Sequence, residues 1–252
     1  MPKPIRWSRT TQPAFQLRGC LVLIFFFLFA GLLILPVVSP SIDLLASGLF
    51  YHSGQGFFLA DNPVFTSFHW LAYYGARGLG VAFAILALGA WRGRKSFCTI
   101  DAKGWFFLLL ALLIGPVLIA NVGLKDHWGR ARPREIVEFG GASAFTPALE
   151  AHFERAHDNG SFVAGDAAFG FFLTAFAFVA PRRTSRRVFW SMMGIAGLFS
   201  LSRLVMGAHF LSDIIYAAFF MLQSVTATHA AFYGRNETAA RWRGYFKRTI
   251  KS

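Results

Sequence analysis

Three separated groups of polar residues in this chain have the types and spacing needed to bind a phosphate group and attack it. They occupy residues 125–133, 161–166 and 202–213. Each lies beside apolar stretches long enough to cross a bilayer. Cations and histidines are costly at membrane depth and mark functional sites there. The three groups are therefore the first candidates for a site.

Three cations in the first and third groups could hold a phosphate. Lysine offers a point charge, and arginine offers a planar fork of donors that matches phosphate oxygens. Lys125, Arg132 and Arg203 could together neutralise a phosphate and the charge that develops in its transition state. Pro133 restricts the backbone of Arg132 to extended conformations, which helps to fix the direction of its side chain. The alternative is a set of juxtamembrane cations that hold lipid headgroups.

The third group contains a pair suited to nucleophilic catalysis. His209 and Asp213 are four residues apart, on one face of a helix. A carboxylate in that position can accept the Nδ1–H of the imidazole and leave the Nε2 lone pair exposed, as a nucleophilic histidine requires. The alternative is a polar pair that stabilises helix packing. Arg203 is close in sequence and favours the catalytic interpretation.

The second group opens an apolar stretch and could supply backbone donors. The first N–H groups of a helix have no partner within the helix and point towards anions. Ala164 and Gly165 could offer such groups to a phosphate without any side chain. Glycine is common in membrane helices, so Gly165 alone carries little weight.

The composition indicates one polytopic membrane domain. The chain has 252 residues, of which 55% are hydrophobic, 15% are charged and 30 are Phe. A soluble domain would be about one quarter charged. The net charge of +13 lies in the gaps between apolar stretches, which favours membrane topology over nucleic-acid binding. We expect a basic N-terminus at 1–18, a membrane domain at 19–232 and a basic tail at 233–252.

Six apolar stretches predict an all-α fold, a six-helix transmembrane bundle. Each is close to the roughly 20 residues that a helix needs to cross the hydrocarbon core. Their approximate bounds are 19–38, 75–91, 104–124, 162–180, 188–206 and 209–232. The second polar group then opens the fourth helix, and the third group spans the junction of the fifth and sixth.

The distribution of lysine and arginine predicts which side of the membrane each segment faces. Of the 25 Lys and Arg residues, 18 fall in residues 1–18, 92–103, 181–187 and 234–252, whereas residues 39–65 hold none. Cytoplasmic segments are enriched in these cations, so both termini are expected in the cytoplasm. The loop at 125–161 and the other two polar groups then meet in an active site at the outer face.

In these motifs the sequence resembles the phosphatidic acid phosphatase type 2 and acid haloperoxidase superfamily. That family carries K-x6-R-P, P-S-G-H and S-R-x5-H-x3-D in this order, and the first and third are matched at 125–133 and 202–213. The resemblance covers about residues 70–232. It implies that Lys125, Arg132 and Arg203 bind phosphate. It also implies that His209 becomes phosphorylated and that Asp213 orients it.

The second motif departs from the family pattern. Residues 163–166 stand where P-S-G-H is expected, so Asp166 replaces the histidine that protonates the leaving group in the family. A protonated Asp166 could serve as the general acid. An ionised Asp166 would instead pair with Arg203 or Lys125. A third alternative is that His127 transfers the proton.

The segment at 125–133, together with residues 139–141 and 161–166, is similar to a bacterial subgroup of this family, the lipid A 4'-phosphatases of the inner membrane. In that subgroup an acidic residue can occupy the position of Asp166. The resemblance implies a multi-pass inner-membrane phosphatase that acts on a lipid-linked phosphate through a phosphohistidine intermediate. Lipid A, undecaprenyl diphosphate and phosphatidate all present the same group to these motifs, so the lipid is left open.

Two other functions also stay open at this point. One is a non-catalytic family member that binds a phospholipid headgroup, and the other is a small transporter that uses the cations as an anion site. The sequence shows no carboxylate cluster of the kind that holds Mg²⁺, so we expect neither a metal nor a cofactor. The oligomeric state is left open.

Overall fold

The computed structural model describes residues 30–93, 96–155 and 160–246. Helices dominate this part of the chain, and its one sheet is a short antiparallel hairpin, so the predicted all-α class is confirmed. The hairpin strands are β1 at Tyr51–His52 and β2 at Gly56–Phe57. The helices are α1 at Ala30–Val38, α2 at Ser41–Gly48, α3 at Pro63–Gly93, α4 at Ala102–Leu112, α5 at Gly165–Phe172, α6 at Ala175–Val179, α7 at Arg182–Val205, α8 at Leu211–Tyr233 and α9 at Arg235–Phe246.

Four of the described helical segments are long and apolar enough to cross a membrane. They are α3, α4 together with its continuation to Lys125, α7 and α8. Helices α1 and α2 bend by 97° relative to each other and make a fifth span if the pair is counted as one. The stretch predicted at 162–180 is shorter, at Gly165–Val179, and divides into α5 and α6. The predicted count of six is therefore not confirmed; residues 1–29, which hold the predicted N-terminus and most of the first span, lie outside the described residues.

Helix α3 is longer than the apolar stretch that predicted it. It begins at Pro63, and the Asn62 side chain caps it by accepting the Val64 N–H at 3.0 Å. Aromatic and polar residues, His69 among them, fill the turns before Gly75, so the apolar pattern starts late. The earlier start carries His69 towards the three polar groups.

Helix α4 begins with a side-chain cap and continues as a π-helix that ends at the first polar group. Asp101 Oδ1 accepts a backbone N–H of the first turn at 2.8 Å. The π-helical segment is Leu113–Lys125. Pro116 within it has no N–H to donate, and its carbonyl accepts the Asn121 side-chain amide at 2.6 Å. Segments of this kind are frequent at functional sites, and this one presents Lys125 at its end.

Aromatic side chains and close helix contacts hold the remaining elements in place. Phe107 and Phe172 are fully buried in the main core. A Cβ on Gly170 of α5 would lie 2.9 Å from the Cα of Ala196 in α7, so glycine permits this close approach of the two helices. Helix α9 stacks Tyr245 on an aromatic ring of α7 at 4.5 Å. The start of α5 and the junction of α7 with α8 are thereby fixed relative to each other.

Candidate active site

Backbone hydrogen bonds bring the three polar groups together. The Ser161 N–H donates to the Arg130 carbonyl at 2.9 Å and joins the second group to the first. The Ala164 N–H donates to the Asp213 carbonyl at 3.4 Å and joins the second group to the third. The groups therefore meet at one place in the fold, although 27 residues separate the first from the second and 35 separate the second from the third.

A tight turn between α7 and α8 positions His209. Gly207 in this turn has a φ of 61°, in the left-handed region that favours glycine. A Cβ at this position would also lie 2.4 Å from a ring carbon of Phe57 in β2. The N–H groups of Ala208 and His209 both donate back to the Arg203 carbonyl, at 3.0 and 3.3 Å. The turn thus holds His209 beside the arginine of its own motif.

His209 is buried, with 3% of its surface exposed, and one of its ring nitrogens has a partner. Nδ1 lies 2.7 Å from the Ser161 carbonyl oxygen. A carbonyl can only accept, so Nδ1 carries the proton and Nε2 carries the lone pair. Asp213 Oδ2 is 3.7 Å from Nδ1, which is too long for a hydrogen bond. The expected direct bond to Asp213 is thus replaced by a bond to Ser161, with the same consequence for Nε2.

Asp213 orients His209 through Ser161. Its Oδ2 accepts the Ser161 hydroxyl at 2.6 Å and the Phe210 N–H at 2.9 Å. Its Oδ1 accepts from Arg130 Nη1 at 2.5 Å. The carbonyl of Ser161 accepts the imidazole N–H of His209. Asp213 therefore fixes Ser161, and Ser161 fixes the ring of His209. The carboxylate is therefore a positioning group.

A fully buried arginine connects this network to helix α2. Arg130 is 0% exposed, and its Nη2 donates to Asp43 Oδ2 at 2.8 Å. Asp43 also accepts the backbone N–H and the hydroxyl of Ser212, at 2.8 and 2.5 Å. Buried charges are tolerated when they are paired and hydrogen-bonded. Arg130 meets that requirement by lying between Asp43 and Asp213.

Sequence reasoning missed both Asp43 and Arg130. Arg130 stands between the two cations of the first motif, where nothing in the sequence distinguishes it from the other arginines of the loop. Asp43 is one of two charged residues in the stretch 39–65, which otherwise lacks charge. An isolated carboxylate beside an apolar stretch is the signal that could have indicated a buried partner.

Lys125, Arg132 and Arg203 lie around the start of α5. A Cβ at Gly165 would be 3.9 Å from Lys125 Nζ. The three side chains lie close enough together for their positive charges to repel one another. Among the described residues, the Nε of Arg132 is buried without a hydrogen-bond partner, and the Nε of Arg203 makes no hydrogen bond although it lies 3.2 Å from an Asp166 carboxylate oxygen. Buried donors are normally satisfied, so the free Nε of Arg132 suits an anion bound beside it.

The start of α5 presents one of the two backbone donors that the sequence predicts. The helix begins at Gly165, and the preceding Ala164 has no side chain that caps it. The Ala164 N–H is engaged with the carbonyl of Asp213. Gly165, at the first helical position, has no intrahelical acceptor for its N–H. Of the two residues, Gly165 is therefore the one placed to donate to an anion beside Lys125.

Asp166 lies between two basic side chains. Its Oδ2 is 2.9 Å from His69 Nδ1 and 3.2 Å from Arg203 Nε. This geometry favours the alternative in which an ionised Asp166 pairs with Arg203, and it adds His69, which sequence reasoning missed. The third alternative, His127, is exposed, and its Nδ1 is 2.6 Å from the carbonyl of Val122 in the helical segment that precedes it.

The protonation state of His209 suits a nucleophile. Burial lowers the pKa of His209 below its ordinary value of 6.5. Arg203 and Lys125 lower this pKa further, whereas the nearby Asp213 carboxylate acts in the opposite direction. The imidazole is therefore neutral at physiological pH, which is the state in which Nε2 can attack.

Three basic side chains give the site positive charge. Across residues 30–93, 96–155 and 160–246, no three His, Cys, Asp or Glu side chains are grouped so that they could hold a metal ion. Lysine and arginine bind phosphate through charge-assisted hydrogen bonds, and Lys125, Arg132 and Arg203 provide this charge.

Comparison with protein families agrees with the geometry. The PAP2 superfamily matches residues 104–237, slightly more than half of the chain, and this range contains all three polar groups. The chain belongs to the PAP2 superfamily. The resemblance inferred from the first and third motifs is thereby confirmed.

Curated relatives of this PAP2 superfamily member are named lipid A 4'-phosphatase. The protein from Francisella tularensis subsp. novicida (strain U112) is 32% identical over 203 residues, which cover 80% of this chain and 90% of that protein. The proteins from Rhizobium leguminosarum and Rhizobium etli are each 41% identical over 104 residues, which cover 41% of this chain and 44% and 40% of theirs. No solved structure gives a significant match. The similarity to the lipid A 4'-phosphatase subgroup is supported.

Proposed function

We propose that this protein removes a phosphate monoester from lipid A and that the 4'-phosphate is the group it removes. Membership in the PAP2 superfamily and similarity to proteins named lipid A 4'-phosphatase support a membrane lipid phosphatase, which is a phosphoric ester hydrolase. The apolar helices support a multi-pass membrane protein. The choice of lipid A over other lipid phosphates rests on the similarity to these relatives.

One observation carries the proposed chemistry. His209 is held by its Nδ1–H on the Ser161 carbonyl, and Arg203 lies at the start of the same turn. The ring therefore offers an Nε2 lone pair next to a cation that can hold the phosphate. A nucleophile beside preorganised positive charge is what phosphoryl transfer requires, because the reaction depends mainly on positioning and electrostatic stabilisation.

The reaction proceeds in two half-reactions. In the first, His209 Nε2 attacks phosphorus, and the N–P bond forms as the bond from phosphorus to the lipid oxygen breaks. Lys125, Arg132, Arg203 and the Gly165 N–H stabilise the charge on the other phosphate oxygens. In the second, water attacks the phosphohistidine and the N–P bond breaks, which releases inorganic phosphate. Asp213 acts throughout by positioning Ser161 and the ring.

We also propose that the site opens on the periplasmic face of the inner membrane and that both termini are cytoplasmic. The cation distribution supports this orientation. Helix α7 supports it as well, because four arginines lie in its first two turns and Arg203 lies near its other end. A helix of 24 residues is about 36 Å long at 1.5 Å per residue, so these two ends can face opposite membrane surfaces.

The experiment that tests the function is phosphate release by the purified protein in detergent. The substrates are lipid A with a 4'-phosphate, undecaprenyl diphosphate, phosphatidate and phosphatidylglycerol phosphate. We expect the fastest release from lipid A, with the remaining disaccharide retaining its 1-phosphate. The His209→Ala variant should be inactive, and His52→Ala, which changes an exposed histidine stacked on Phe58, should match the wild type. Binding of a lipid phosphate without turnover by the wild type would favour the non-catalytic alternative.

A further inference from the structure

A histidine from α3 reaches the site at the position where the second motif departs from the family pattern. His69 Nδ1 is 2.9 Å from Asp166 Oδ2, although 97 residues separate the two in the chain. The His69 side chain is 36% exposed and that of Asp166 is 14% exposed. The contact therefore lies at the rim of the site, where the histidine can still touch a ligand.

The same carboxylate oxygen links His69 to the phosphate-binding cations. Asp166 Oδ2 is also 3.2 Å from Arg203 Nε. The Asp166 carboxylate lies close enough to Lys125 for the two charges to attract each other. An oxygen that faces an imidazole N–H and a guanidinium is an acceptor. An Asp166 carboxylate that accepts from both neighbours is ionised and has no proton to give to a leaving group. Its contact with Nδ1 leaves Nε2 of His69 as the nitrogen that can exchange a proton with substrate.

We propose that His69, oriented by Asp166, is the general acid and base of the reaction; this inference rests on the proposed phosphatase function. The pair repeats the logic of a histidine held at Nδ1 by a carboxylate. Asp166 is then a positioning residue, and His69 is the catalytic residue that touches the leaving oxygen. One histidine, His209, attacks phosphorus, and the other, His69, transfers protons.

The proton balance of both half-reactions follows from this assignment. As the bond from phosphorus to the lipid oxygen breaks, protonated His69 gives its Nε2 proton to that oxygen, and the lipid leaves as an alcohol. His69 is now neutral, with its Nδ1–H on Asp166. When water attacks the phosphohistidine, Nε2 of His69 takes one proton from the water. Inorganic phosphate leaves, and His69 is again protonated for the next turnover.

His127 is the competing histidine, and its contacts differ from those of His69. Its Nδ1 is 2.6 Å from the Val122 carbonyl, and the side chain is exposed. It thus faces the backbone at the end of the preceding helical segment, whereas His69 faces a carboxylate that also lies beside Arg203. Comparison of variants at the two positions therefore separates the two assignments.

The test compares two substrates with leaving groups of different quality. The leaving group of lipid A 4'-phosphate is a sugar alkoxide, which needs a proton. The leaving group of p-nitrophenyl phosphate is nitrophenolate, which hardly needs one. For His69→Gln we expect lipid turnover to fall by about 10²–10⁴-fold, the usual contribution of general acid–base catalysis. The burst of nitrophenolate should persist, because phosphorylation of His209 no longer requires an acid. The phosphoenzyme should then accumulate, because water attack lacks its base.

Three further variants complete the test. Asp166→Asn should also lose more turnover on lipid A than on p-nitrophenyl phosphate, but the loss should be smaller than in His69→Gln. His127→Gln and His52→Gln should behave as the wild type on both substrates. A purely structural role for His69 would reduce the burst and the lipid turnover alike, and that result would overturn the assignment. Wild-type lipid turnover in His69→Gln would also overturn it while leaving the phosphatase function intact. An inactive wild-type protein would overturn the proposed function, and this assignment with it.

Discussion

Arg130 donates from Nη1 to Asp213 Oδ1 at 2.5 Å, and both side chains are fully buried. Arg130 belongs to the segment that supplies two of the proposed phosphate-binding cations, and Asp213 belongs to the helix that follows His209, the proposed nucleophile. The pair therefore connects phosphate binding to the orientation of His209. The ion pair with Arg130 holds the Asp213 carboxylate in place. Asp213 can therefore fix Ser161, and through Ser161 the ring of His209, although Asp213 makes no direct hydrogen bond to the imidazole.

Replacement of Arg130 should damage both stability and activity. Arg130→Met would leave the buried carboxylates of Asp43 and Asp213 without their shared partner, and breaking a buried pair in this way costs about 3–5 kcal/mol. Thermal unfolding in detergent should show a lower midpoint, and phosphate release should be lost. Arg155→Met is the matched control, because Arg155 is exposed and lies 3.8 Å from Glu154. An unfolding midpoint equal to that of the wild type would show that the buried ion pairs of Arg130 with Asp43 and Asp213 do not stabilise the fold.

The pH profile should report the environment of His209. In the proposed mechanism the neutral imidazole of His209 is the nucleophile, so activity should be present above its pKa and should be lost as the pH falls through that value. Because burial lowers the pKa of His209, the acid limb of kcat/KM, corrected for substrate ionisation, should lie below 6.5. The Asp213 carboxylate raises this pKa. Asp213→Asn should therefore shift the acid limb of kcat/KM to lower pH and also reduce the rate. A shift of the limb to higher pH in Asp213→Asn would contradict this account.

Activity should not depend on a divalent metal. Lys125, Arg132 and Arg203 supply the charge that a metal would otherwise supply, and their Nζ and guanidinium donors suit phosphate oxygens. Phosphate release should be the same with and without EDTA. Loss of activity in the chelator that Mg²⁺ then restores would count against the proposed mechanism.

Cysteine labelling can test the proposed orientation. Cys98 lies in the segment 92–103 and is exposed, so in a Cys20→Ser background it reports on that loop. Ala142→Cys, at an exposed position in the loop between the first and second polar groups, reports on the other side when Cys20 and Cys98 are both replaced by Ser. A membrane-impermeant maleimide added to intact spheroplasts should label position 142 and leave position 98 unlabelled. The reverse pattern would refute the periplasmic site.

Short-range patterns account for what the sequence predicts correctly. His209 and Asp213 lie near each other because helical spacing requires it, and apolar stretches of sufficient length predict most of α4, α7 and α8. The same reasoning misses Asp43 and His69, because each reaches the site through tertiary packing across long sequence separations. His69 is further hidden by its aromatic neighbours, which delay the apolar pattern of α3. The division of the fourth stretch into α5 and α6 has no clear signal in the sequence, since neither glycine nor proline stands at the break, which falls at Leu173 and Thr174.

Identification of the phosphorylated residue tests the central claim most directly. The protein is mixed with ³²P-labelled substrate and quenched within one turnover, and the labelled residue is identified after proteolysis. We predict an acid-labile, base-stable phosphohistidine at His209 that is absent from His209→Ala. With ³²P-labelled p-nitrophenyl phosphate, whose leaving group needs no acid, it should be more abundant in His69→Gln. Label on another residue, or wild-type phosphate release by His209→Ala, would contradict the account.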